Sequence, residues 1–100
     1  MPKLTVAVPH ALSEDQAVER LKDRFGDLKR RFGDSVSDFE EEWDGKMLRY
    51  RFAALGVKVQ GTVAAVDSNV TVTADLPLMA MPMKGTIETQ IRGELEKILA

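Results

Sequence analysis

Residues 36–75, VSDFEEEWDGKMLRYRFAALGVKVQGTVAAVDSNVTVTAD, decide the fold. Apolar and polar residues alternate through this stretch, and turn-forming residues punctuate it. Phe39 and Trp43 share one face, with Asp38, Glu40 and Glu42 on the other. Asp44-Gly45 is a two-residue hairpin signal, because glycine takes a positive φ at little cost. Leu48, Tyr50 and Phe52 resume the apolar face against Arg49 and Arg51, and Gly56 marks the next reversal. Val57, Val59, Val63 and Ala65 follow, opposed by Lys58, Gln60 and Thr62. Gly61 interrupts that run and reads as a bulge or a close approach of backbone. Asp67-Ser68-Asn69 turns the chain into Val70, Val72, Ala74 and Leu76, which alternate with Thr71, Thr73 and Asp75. Four strands joined by short turns pair antiparallel. One apolar and one polar face describe a sheet packed on a single side.

Outward from this block, Leu4, Val6 and Val8 alternate over Lys3–Val8, a first strand that Pro9 ends. Its place in the sheet does not follow from periodicity. Ser13 and Gln16 have the spacing of a capping box. Ala17, Leu21, Phe25, Leu28 and Phe32 then mark one face of a helix from about Glu14 to Arg31, with Gly33 as its stop. After the sheet, Met79, Met83, Ile87, Ile91, Leu95 and Ile98 recur every three to four residues, which assigns them to a helical core face. Pro82 predicts that this helix is regular only from about Lys84. The fold class is therefore α+β, in the order β-α-β-β-β-β-α: a curved antiparallel sheet with both helices on its apolar face. One domain over residues 1–100 is expected, burying roughly two-thirds of its unfolded surface.

Composition removes several chemistries. The chain has no cysteine and one histidine, and its formal net charge is −2. Disulfides, thiol catalysis and thiolate metal sites are excluded, and non-specific nucleic-acid binding is disfavoured. No apolar run reaches the ~18–20 residues of a membrane span, and no signal core opens the sequence. A cytoplasmic protein is expected, with no cofactor and no nucleic-acid partner.

The candidate chemistry is thin. His10 lies in a Pro9-His10-Ala11 loop without a local carboxylate, so a turn role outweighs a catalytic base. The acidic run Asp38 to Glu42 alternates between two faces, which suits a protected sheet edge better than a metal site. Trp43 and Tyr50 read as core packing with a polar handle. Arg49, Arg51 and Lys58 on the open face are candidate anion contacts, with cross-strand pairing to the acidic strand the simpler reading. Leu76 to Met83 is apolar and methionine-rich. Leu76, Leu78 and Met81 are candidate contacts for a partner, because Leu78 and Met81 fall off the helical core face.

The chain resembles the polyhydroxyalkanoic acid system protein family. The resemblance runs through Val6-Ala7-Val8-Pro9-His10-Ala11-Leu12, the helix with Ala17 and Leu21, and Trp43-Asp44-Gly45 leading into Leu48-Arg49-Tyr50. It continues through Val59-Gln60-Gly61-Thr62-Val63, Leu76-Pro77, Gly85-Thr86-Ile87-Glu88 and Ile91 to Leu99. It implies a link to polyhydroxyalkanoate storage or use in an accessory role, and it brings no catalytic residues to assign. The leading expectation is a non-enzymatic protein that binds a granule, a granule protein or a second copy of itself through the apolar patch. The alternative is a carrier of a small acyl-type ligand in a cavity between sheet and helix.

Overall fold

In the computed structural model, which describes residues 3–34, 36–54 and 57–100, the elements follow the order the alternation predicts. They are β1 (Lys3–Pro9), α1 (Glu14–Phe32), β2 (Ser37–Asp44), β3 (Met47–Ala54), β4 (Val57–Val66), β5 (Asn69–Asp75), a 3-10 segment (Leu78–Met83) and α2 (Lys84–Leu99). Gly56, expected to mark the β3–β4 reversal, and the side chains of Leu28, Phe32 and Val57 lie outside the described residues.

All five strands form one antiparallel sheet in the order β1-β5-β4-β3-β2. The meander supplies four of them, and β1 adds to its far side against β5, from Lys3 opposite Asp75 to Pro9 opposite Asn69. The first strand is thus an edge. The β2–β3 loop is Gly45-Lys46, one residue later than the sequence signal, with Gly45 at φ +62°. The β4–β5 loop is Asp67-Ser68.

Register explains the core. Leu48, Val63, Val72 and Val6 stand side by side across four strands, as do Ala65, Val70 and Val8 in the next row. Both rows are buried, together with Ala17, Val18 and Leu21 of α1 and Leu95 and Leu99 of α2. The helices cover this face because their apolar stripes have no other surface to meet. Ser13 caps α1 as predicted: its hydroxyl accepts from the Gln16 amide and the Gln16 side chain accepts from the Ser13 amide, each at 3.1 Å.

The two sheet edges are blunted differently. On β2, Glu40, Glu41 and Glu42 present charge, and the pairing slips between Ser37 and Glu40, with Asp38 at φ +54°. Charge and irregularity both discourage strand addition. On β1, Arg92 of α2 donates to the Ala7 carbonyl at 3.2 Å.

At Gly61 the backbones of β4 and β5 approach closely. A Cβ built there would lie 1.9 Å from the Thr73 carbonyl oxygen and 2.7 Å from the Tyr50 hydroxyl. Tyr50 reaches across this gap and donates to Thr73 O at 2.9 Å. The Thr62 amide turns to the Thr73 hydroxyl at 3.2 Å.

Candidate functional site

The methionine-rich segment departs most from expectation. An α-helix through it would need the amide of residue 82 to bond the carbonyl of Leu78, and Pro82 has no amide hydrogen. The chain takes 3-10 geometry instead, with Ala80 N–H donating to Pro77 O at 3.0 Å and Lys84 N–H to Met81 O. Three residues per turn replace 3.6, so the four-residue spacing from Met79 to Met83 no longer holds one face. Met79 and Met83, assigned by their spacing to the core, are 80% and 58% exposed. Leu78 is 77% exposed and Met81 37%. Leu76, named with them as a contact residue, is only 5% exposed and belongs to the core, so it anchors the segment from beneath. Four large apolar side chains in six residues thus face outward, and α2 becomes regular at Lys84.

The open sheet face is polar and largely self-paired. Arg51 forms an ion pair with Glu40. Gln60 donates to Asp75 at 3.2 Å, and the hydroxyls of Thr62 and Thr73 meet at 2.6 Å. Arg49 stands opposite Glu42 and Thr62, and Lys58 opposite Ala53. The three cations share this face, but each answers to a different cross-strand neighbour. Arg49 and Arg51 border a broad, shallow depression that Lys58 does not reach.

At the loop end of the sheet, Glu14 ties three elements together. One carboxylate oxygen accepts from Lys46 Nζ at 2.7 Å and the other from the Asp67 amide at 2.7 Å. The Lys46 hydrogen bond, then the Asp67 amide, holds Glu14 below the usual carboxylate range, and Glu14 raises Lys46 in return. His10 sits beside this cluster, half-buried, its Nδ1 accepting from the Leu12 amide at 3.1 Å. A neutral His10 therefore carries its proton on Nε2, which is buried with no partner among the described residues. His10 thus holds the loop between β1 and α1, and no carboxylate among the described residues hydrogen-bonds to it, although Glu14 lies nearby. Among the described residues, no group of three or more histidine or acidic side chains is placed to hold a metal ion.

A hollow of about 300 Å³ opens between the helices and the sheet. Leu21 and Phe25 of α1, Val63 and Val72 of the sheet, and Ile91, Leu95 and Ile98 of α2 make its walls. Tyr50 also lines it, with its ring centroid 6.4 Å from that of Phe25. The hydroxyl of Tyr50 is committed to Thr73, and burial lifts its phenol to about 12, the Asp75 carboxylate adding to the rise. Arg24, Gln90 and Glu94 border this hollow, whose exposed lining is almost wholly apolar, and Arg24 Nη2 pairs with Glu94 Oε2 at 2.9 Å across the two helices. Trp43 lies apart, packed against the core with Lys22 Nζ 5.0 Å from its ring centroid.

With this geometry in view, comparison with known families is decisive. The model described as "Putative polyhydroxyalkanoic acid system protein" matches residues 4–99. The chain belongs to the polyhydroxyalkanoic acid system protein family. No curated protein matches it. The crystal structure of TTHA0849 from Thermus thermophilus is similar at 15% identity, with a TM-score of 0.43, covering 98% of this chain and 92% of that one.

In this member of the polyhydroxyalkanoic acid system family, sequence reading missed Arg24 and Glu94. Each is polar, beside an apolar position and three residues after another: Arg24 after Leu21 and before Phe25, Glu94 after Ile91 and before Leu95. That places them on the margin of an apolar stripe, which was the available signal. Their partnership spans 70 residues of sequence and needs the folded helices to appear. Among the described residues, no helix is long and apolar enough to cross a membrane.

Proposed function

We propose that this protein is a non-catalytic, cytoplasmic accessory factor of polyhydroxyalkanoate storage that docks on the polymer granule through its 3-10 segment. The exposure of Leu78, Met79, Met81 and Met83 carries this reading. A run from Leu76 to Met83 without a single charge suits a surface that is itself apolar. Methionine side chains adapt to an irregular partner. At roughly 25 cal/mol per Å² of apolar area removed from water, a patch of this size supports a weak, reversible association.

The test is co-sedimentation with purified granules. Leu78→Asp with Met81→Asp, in a protein that melts like the parent, should abolish pelleting. Undiminished pelleting overturns the mechanism. Pelleting only with granules that retain their coat proteins, or loss of a dimer in the variant, assigns the patch to a granule protein or to a second copy and overturns direct polymer contact.

A second reading is favoured by the hollow. A space of about 300 Å³ walled by aliphatic and aromatic side chains suits an acyl group. On this reading the protein carries an acyl compound of the same metabolism.

A further inference from the structure

The open face of the sheet carries a charge pattern that extends across all five strands. Strand register puts Lys3, Asp75, Gln60, Arg51 and Glu40 in one row, from the β1 edge to the β2 edge. The signs run plus, minus, neutral, plus, minus. Turned end for end, the row sets every charge over its opposite. The next row, Thr5, Thr73, Thr62, Arg49 and Glu42, meets its own reverse with Arg49 and Glu42 each over a threonine, so no like charges are opposed. All five side chains of the first row border one shallow depression.

A two-fold axis produces this reversal. Run along β4, the middle strand, it turns the sheet over and places β1 on β2 of the other copy and β5 on β3, with every row at its own level. A two-fold across the strands would lay Lys3 on Lys3 and Glu40 on Glu40, so the charges select the first axis. Sheets packed face to face lie about 10 Å apart and twist by about 30°, offsets that lysine, arginine and glutamate side chains span. Further along the strands the face turns small and apolar, with Ala7, Ala64 and the exposed Val66. Lys58 is exposed and lies past the last β4–β5 pair, so its ammonium has solvent to turn to. Five strands about 4.8 Å apart and rows about 6.7 Å apart give each copy a face on the order of 600 Å². Two such faces reach the lower bound of specific interfaces, about 1,200 Å².

We propose that the open sheet face joins two copies of this chain in a two-fold dimer, with Arg51 of each copy over Asp75 of the other and Lys3 over Glu40. The dimer depends on neither the granule reading nor the hollow. The axis preserves level along the strands, so both 3-10 segments, which follow the Asp75 end of β5, leave from the same end of the dimer. On the granule reading, two weak patches then act together.

Sedimentation velocity of the full chain at ~100 μM tests it. The wild type should run as a dimer. Arg51→Glu alone and Asp75→Arg alone each oppose like charges twice across the axis, so each should weaken the dimer about tenfold or more. An equimolar mixture of the two variants should recover it, because each supplies the charge the other lacks. Gln60→Lys keeps a partner for Asp75 within the chain but meets its own copy across the axis, so it should melt like the parent and still weaken the dimer. A monomeric wild type overturns the proposal. So does a mixture of Arg51→Glu with Asp75→Arg that stays monomeric while both melt like the parent. Where a charge reversal fails to fold, Gln60→Lys decides, and a dimer as tight as the parent's overturns the proposal.

Discussion

At Gly61 a single missing side chain decides how two strands meet. The distance of 1.9 Å from a built Cβ to the Thr73 carbonyl oxygen is far inside contact, and the obstacle is backbone. Gly61→Ala should therefore cost about 3 kcal/mol or more in a urea melt, because β4 must move away from β5 to make room. The same approach lets Tyr50 bond Thr73, and that bond makes a second prediction. The Tyr50 phenol is raised to about 12 by burial, against an ordinary value of 10.0. The protonated phenol is thus favoured in the folded state. Its contribution is complete below pH 10 and lost as pH climbs toward 12, on the order of 2 kcal/mol in total. Tyr50→Phe should flatten this alkaline loss in pH-dependent melts while costing about 1 kcal/mol at neutral pH for the missing hydrogen bond. Tyr50 is the only tyrosine, so tyrosinate absorbance reports its titration directly. Gly61 was legible as an irregularity because a glycine inside a run of alternating residues has no packing role of its own. The identity of its neighbour, Thr73, needed the register of β5.

At the scale of elements, strands were the easiest to read and the 3-10 segment the hardest. Alternation assigns each strand residue to a face, and Leu48, Val63 and Val72 are buried as that assignment requires. The same logic, extended with helical spacing, put Met79 and Met83 in the core, and Pro82 defeated it by removing one hydrogen bond. The segment should consequently behave as surface despite its composition. Leu78→Ala or Met79→Ala is expected to move stability by less than about 0.5 kcal/mol, whereas Leu76→Ala should cost about 3 kcal/mol, all measured by chemical denaturation. Equal costs at the three positions would mean that the segment packs inward. The placement of β1 at the β5 edge was beyond sequence reading, since alternation names a strand's faces and never its neighbours.

For the molecule as a whole, the layered plan was legible, but the space between the layers was not. Periodicity counts apolar positions without measuring whether their volumes fill the gap. Leu21, Ile91 and Leu95 each sit where the stripes predict, yet the helices and the sheet leave about 300 Å³ between them. Val63 lines that space and is buried, so one added methyl group tests the match between volume and function. Val63→Ile should raise stability by up to about 0.8 kcal/mol while weakening any acyl ligand that occupies the hollow. A loss of stability would show that the space is already closed around that side chain.

The edge position of β1 has a consequence for how the chain acquires its shape during synthesis. The meander can pair as soon as its own residues have left the ribosome, but α2, which packs against β1 and reaches back to Ala7, is made after every strand. Until it arrives, the greasy side of the sheet has only α1 as a roof. A nascent chain paused at that point carries a half-roofed apolar slab, which a chaperone or another apolar surface would meet before α2 closes it.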